Sequence, residues 1–194
     1  MDISFANISK LNNLKPKKGR LLLAEPFMND DHFSRSVIYM CEHDKIGSYG
    51  FILNNKLNIK LDEIIPEIEI PNINVYYGGP VHSSNLFFLH QLGDIIDSSV
   101  KISDNIWTSG DFNQIIEFMN MGILDIKKVK FFLGYAGWTY NQLATEFNSN
   151  SWIAIDLMKE NIFSKNEDLW KEVLIKRGGK LKAIANFPVN PTDN

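Results

Sequence analysis

A chain of 194 residues with 44% hydrophobic and 22% charged side chains has the composition of one soluble globular domain, which excludes a disordered chain. Its single cysteine, Cys41, excludes an internal disulfide and suits a reducing, cytoplasmic setting. The net charge of −3 excludes an overall basic balance of the kind that neutralises nucleic-acid phosphates.

The charge is unevenly spread. Residues 1–20 carry Lys10, Lys15, Lys17, Lys18 and Arg20 against Asp2, a local balance of +4 that leaves −7 for the rest. Residues 1–16 therefore read as a basic arm or short helix, with Phe5, Ile8 and Leu11 recurring every third residue, ahead of a single domain over 17–194. The arm lacks the charged-then-apolar pattern of a signal peptide.

Gly19 precedes RLLLAEP, a short apolar run closed by Pro26, which predicts a buried strand. RSVIYMCEH and FILNN, separated by the loop DKIGSYG, predict a hairpin. Leu61–Ile65 predicts a helical turn, and Pro66 and Pro71 break the chain after it. NVYYGGPV and LFFLHQL then predict strand, tight turn, strand, with Gly78-Gly79-Pro80 as the turn. Phe112, Ile115, Ile116 and Met119 fall on one helical face, with Ser109 or Asp111 as N-cap and Gly122 past the end. VKFFLGY predicts a strand, TYNQLATEF a short helix and SWIAIDL a further strand. The apolar run from Val129 to Trp138 is interrupted by Lys130 and is far shorter than the ~20 residues that cross a bilayer, so no membrane span is expected. A last helix follows Ser164, whose spacing to Glu167 matches a capping box; it buries Leu169, Trp170, Val173 and Leu174 and stops at Gly178-Gly179. KLKAIANF predicts one more strand. Hairpin-like strands early and alternating strands and helices late argue for a mixed sheet with helices packed outside it.

The segment FFLGYAGWTYNQLATEF, residues 131–147, is the most pointed motif. Thr139 and Gln142 have capping-box spacing, which starts the helix at Tyr140 and sets Gln142 and Glu146 one turn apart beside an apolar face. Gly134 and Gly137 either let the backbone come close to a ligand at the strand's end or merely allow a tight strand-to-helix turn, while Trp138 reads as a core filler.

Sequence chemistry is sparse. Cys41 follows an apolar run and reads as a buried structural thiol, and its i, i+2 spacing to His43 is too long for a thiolate–imidazolium pair in a straight strand. His32, His43, His82 and His90 are scattered without metal-ligand spacing; a site from His43, His82 and His90 would depend wholly on folding, and no metal or cofactor is expected. Neither a G-x-S-x-G elbow nor a phosphate or dinucleotide loop occurs.

GYAGW followed by Gln142-Leu143 and Glu146 resembles the signature of the YqgE/AlgH family of bacterial proteins. So do Gly19–Pro26, Phe33–Val37, Cys41-Glu42-His43, the loop with Gly47, Gly50 and Asn54, Tyr77–Val81 and Leu89-His90, in the same order over about residues 17–185. Asn141 stands where the family pattern has glycine, Ala144 where a glutamate is common, and Ile184–Pro188 looks like the form found in Bacteroidetes-type bacteria. The resemblance implies a single α+β domain with a largely antiparallel, barrel-like sheet flanked by helices. It implies little chemistry, although one branch of the family bears a transcriptional-regulator label.

The resemblance also suggests that a polar cluster converges: Glu42, His43, Asn54, the backbone of Gly78 and Gly79, His90, Gly134, Gly137, Trp138, Gln142 and Glu146. The favoured reading is a non-catalytic binding or regulatory domain whose partner is a protein or a small polar ligand. One alternative is an enzyme, such as a hydrolase, using Glu146 with His43 or His90. The other is a nucleic-acid-associated regulator acting through the Lys10–Arg20 arm.

Overall fold

A computed structural model describes residues 14–157 and 162–186, organised about one long strand. The strands are β1 (Leu21–Ala24), β2 (Val37–His43), β3 (Gly47–Ile52), β4 (Lys56–Lys60), β5 (Asn74–Tyr77), β6 (Val81–His90), β7 (Val100–Ser103), β8 (Ile106–Thr108), β9 (Val129–Thr139) and β10 (Trp152–Ile155). The helices are α1 (Leu61–Ile64), α2 (Phe112–Asn120), α3 (Gln142–Asn148), α4 (Leu169–Arg177) and α5 (Gly179–Ile184). The basic arm and its expected helix lie largely in residues 1–13, outside the described residues, as do Phe187 and Pro188.

The sheet runs β10-β1-β2-β3-β9-β6-β8-β7, antiparallel at every step. Strand β9 has β6 on one edge, while its other edge is shared: parallel β5 pairs with Phe131–Leu133, and antiparallel β3 pairs with Ala136–Thr139. Because β1, β2 and β9 are covered on both faces, their sequences read as continuous apolar runs rather than alternations. Leu21, Leu23, Tyr39, Phe51 and Phe132 face one core with α4 and α5. Leu22, Ile38, Met40, Ile52 and Trp138 face another with Leu143 of α3. Val75, Phe88 and Phe131 form a third with Leu61 of α1 and with Ile115 and Met119 of α2.

The domain is α+β, with a sheet that curls without closing. The Tyr39 hydroxyl of β2 meets Ser103 Oγ of β7 at 2.8 Å, a side-chain contact between strands that are not neighbours in the sheet. β10 and β7 remain the two ends of the strand path.

Several local expectations change, beginning with the loop DKIGSYG, whose Gly47–Gly50 half belongs to strand β3. The order strand, turn, strand holds at Gly78-Gly79-Pro80, but β5 and β6 are not neighbours: they lie on opposite edges of β9, and the turn carries the chain across it. The crossing is so close that a Cβ on Gly79 would lie 2.2 Å from the Tyr135 carbonyl carbon and one on Gly134, at φ +69°, 2.3 Å from the Gly79 oxygen. Residues 179–184 form helix α5 instead of a strand, because Leu181, Ile184 and Ala185 share a helical face that packs onto the α4 core. The Ser164–Glu167 capping box does not form; α4 begins only at Leu169, and Glu167 pairs with Lys56 instead. In α2, by contrast, Asp111 is the cap and accepts from the backbone N–H groups of Asn113 and Gln114.

Candidate functional site

The 131–147 segment resolves into a polar chain built on two indoles. Strand β9 does not stop at its glycines but continues to Thr139, and the chain reverses at Asn141, whose φ of +66° is left-handed. That backbone explains both the glycine of the family pattern and the asparagine here, since asparagine tolerates this region better than most residues. It also delays the helix to Gln142. Half of the expected capping box survives: Gln142 Oε1 accepts from the Thr139 backbone N–H at 3.1 Å and from its hydroxyl at 3.3 Å. Gln142 Nε2 then donates to Glu146 Oε1 at 3.0 Å. The other carboxylate oxygen, Oε2, accepts the indole N–H of Trp138 and of Trp152, each at 2.8 Å. Both indoles are buried, and the carboxylate is what satisfies their donors.

The other candidates hold separate loops. Asn54 behaves as a side-chain strand: its Oδ1 accepts from the Val37 N–H at 2.9 Å and its Nδ2 donates to the Arg35 carbonyl at 3.0 Å. His90 is fully buried, with Nδ1 accepting from the Leu92 N–H at 3.3 Å, which puts the proton on Nε2, facing the Ser109 carbonyl and the Ser99 hydroxyl at 3.2 Å each. Burial pulls its pKa below the ordinary histidine value, so it stays neutral. His43 is exposed, with Nδ1 2.7 Å from Ser48 Oγ. Cys41 is buried in the α4 side of the core, and burial raises its thiol well above the usual range, the opposite of what a nucleophile needs. Among the described residues no three His, Cys, Asp or Glu side chains gather in metal-binding geometry, so His43, His82 and His90 do not form one site.

The open end of the α4 side of the core forms a groove of about 680 Å³. Its lining comes entirely from strands β2, β3, β6, β8 and β9 and the loops between them. Tyr49, Phe51, Phe87 and Tyr135 make up its apolar floor, with ring centroids 5.6–6.1 Å apart in mostly edge-to-face pairs. Ile46, 87% exposed, stands on the lip. The charged lining residues are Glu42 and Asp44, both acidic. Asp44 also accepts from the N–H groups of Ile46 and Gly47, and these bonds hold its carboxyl below the usual range, so it is ionised at neutral pH.

The candidate residues thus fall into distinct sets. Glu42, Gly137 and Trp138 line the groove, although the Trp138 indole points to the opposite face, toward Phe33 and Trp152. Gln142 and Glu146 belong to the indole network, Gly78, Gly79 and Gly134 to the backbone crossing, and Asn54, His90 and His43 to three separate loop contacts. Sequence reasoning missed the aromatic floor, because Phe and Tyr in strands are indistinguishable from core until it is known which end of the sheet the helices leave uncovered. The signal that was visible is Tyr49, in a segment read as loop.

An α+β domain with a curled, open, largely antiparallel sheet about one long strand is the class that this architecture defines. A crystal structure of a protein from Corynebacterium diphtheriae shares it, with a TM-score of 0.79 at 21% identity over 96% of this chain and 100% of that one. The solution structure of the AlgH protein from Pseudomonas aeruginosa matches with a TM-score of 0.69 at 25% identity, over 90% and 98% of the two chains. A UPF0301 protein of Parabacteroides distasonis is 41% identical over 193 residues, covering 97% of this chain and 98% of its own. The AlgH-like family profile (DUF179) matches residues 21–182, and the chain belongs to this family. Among the described residues no helix is long and apolar enough to cross a membrane.

Proposed function

We propose that this AlgH-like chain is a non-catalytic binding domain whose aromatic groove receives a cationic, apolar-bearing peptide segment of a partner protein. The observation that carries this reading is the groove's composition: a floor of four aromatic rings under a rim whose charges are both carboxylates. Aromatic faces attract Lys and Arg side chains as well as apolar ones, and Glu42 and Asp44 add a rim charge of matching sign. A peptide fits better than a compact metabolite because the groove is open and large, and because Ile46 offers a further apolar contact at its lip.

Catalysis has less support. Glu146 is committed to two buried indoles, His90 is enclosed by loop contacts, and His43 lies on β2, whereas His90 ends β6 and Glu146 is on α3. Nucleic acid suits this surface poorly, since phosphates would meet carboxylates at its rim. Within the basic segment, Arg20 is already bound to Asp156 Oδ1 at 2.9 Å and to the Lys15 carbonyl at 2.9 Å.

The test is fluorescence anisotropy with a labelled hexapeptide of alternating Arg and Trp and its Glu–Trp counterpart. Saturable binding of the cationic peptide alone is expected, with affinity at least about tenfold weaker for the Glu42→Lys/Ile46→Ser variant and unchanged for Glu63→Lys, an exposed residue of helix α1. Absence of saturable binding, or an equal loss in the Glu63→Lys control, overturns the proposal.

A further inference from the structure

Lys130 is a lysine inside a buried strand. It lies between Val129 and Phe131 in the middle of the sheet, only 4% exposed, and its Nζ donates to the Ser164 carbonyl at 2.6 Å and sits 3.9 Å from the centre of the Tyr76 ring. Among the described residues no carboxylate stands within ion-pair distance of it. Glu167, which acts on Tyr76 electrostatically, is taken by Lys56. Burial accordingly pulls the ammonium down to about pKa 7. A methionine of similar length would fill the same space without that desolvation, so a lysine here needs a reason.

The reason lies beside it. Lys130 borders a second cavity of about 240 Å³, lined also by Lys127 and Lys165 and containing no Asp or Glu. Lys60 brings further positive charge to the cavity wall through its 2.6 Å bond to Asn74 Oδ1. The remaining wall is mostly apolar, with Ile73, Ile126 and Phe163 among its residues. A buried ammonium lacking a counter-ion, two more lysines at the mouth and an apolar wall describe a complement to one chemical class.

We propose that this cavity is a binding site for a small ligand carrying an oxoanion, phosphate or carboxylate, on an apolar body, with Lys130 as the buried counter-charge. The anion completes the ion pair that the fold leaves open, and Lys127 and Lys165 draw it in from solvent. Because the bound form needs the ammonium while the empty site weakens it, binding above neutral pH takes up a proton. The titratable groups around Lys130 are Tyr76 from β5, Lys127 before β9 and Lys165 before α4, with Lys60 and Asp62 bound to the cavity residues Asn74 and Asn72 and the Lys56–Glu167 pair beside Tyr76.

Isothermal titration calorimetry of the full chain at pH 8 tests this, using phenyl phosphate, benzoate, inorganic phosphate and neutral benzamide as probes. Phenyl phosphate is expected to bind saturably and more tightly than inorganic phosphate, while benzamide does not bind. Its apparent enthalpy should change with the ionisation heat of the buffer, which reports proton uptake. Lys130→Met should weaken binding at least about tenfold. Lys130→Arg, always charged, should retain binding while losing the proton uptake, and it keeps the test decisive should the Met variant fail to fold. The proposal is overturned if no probe saturates, if benzamide binds as well as phenyl phosphate, if Lys130→Met binds normally, or if Lys130→Arg still takes up the proton.

Discussion

Replacing Glu146 with alanine separates a structural role for the most conspicuous motif of this chain from a ligand-binding one. In the wild type one carboxylate oxygen satisfies two indole donors, on Trp138 and Trp152, whose residues are 6% and 1% exposed. Truncation leaves both N–H groups buried without that acceptor, and each orphaned donor costs about 1–3 kcal/mol, so the variant should lose roughly 2–6 kcal/mol. For a chain of this length that is a fall in Tm of roughly 4–24 °C. Glu146→Gln is the informative partner. Its amide oxygen can take the place of Oε2, but its amide nitrogen then faces the Gln142 Nε2 that now donates to Oε1, so less than half of the loss is expected. Urea unfolding followed by tryptophan fluorescence measures both variants, and it reads the two indoles directly. A Glu146→Ala protein within about 0.5 kcal/mol of wild type would refute the reasoning, because that is the scatter of an uninvolved surface site.

Gly134→Ala should cost roughly 3 kcal/mol or more, since its Cβ would collide with the Gly79 carbonyl oxygen, whereas Gly122→Ala, at nearly the same φ but with nothing within 4 Å, should cost only the left-handed strain of about 1–2 kcal/mol; denaturation midpoints of the two variants decide this. Asn54→Ala removes the bonds to Arg35 and Val37 and should lower stability by roughly 1–3 kcal/mol, with the loss of amide-exchange protection concentrated at Val37. His90 is held neutral by burial, so the unfolded chain binds its proton first; stability should fall as pH drops below the ordinary value of 6.5, with a slope of at most about 1.4 kcal/mol per pH unit from this group. His90→Gln should flatten that part of a pH–stability profile, and an unchanged slope would remove His90 as its source. Lys130→Met should raise stability at pH 7 by relieving a buried charge, even while it removes anion binding; a less stable variant would contradict the desolvation argument.

The chain's own residues determined what is local. The run RLLLAEP, the hairpin through Cys41, the Asp111-capped helix and the face Leu169, Trp170, Val173 and Leu174 are legible because burial and hydrogen bonding act over a few residues there. The family motifs carried the fold class for the same reason. Only the tertiary structure decided which distant segments meet. Gly78-Gly79 reads as a turn until Gly134, more than fifty positions later, is seen beneath it. Glu146 reads as a candidate acid until Trp138 and Trp152 converge on it from two strands. KLKAIANF has enough apolar character for a strand, and it is the core beneath α4 that selects the helical face of Leu181, Ile184 and Ala185. The groove and the Lys130 cavity lie furthest from the sequence, because a surface is defined by what fails to cover it. Lys130 did interrupt an apolar run, but its meaning depended on Tyr76, Ser164 and Lys165 arriving from other parts of the chain, and long-range packing alone sets that arrangement.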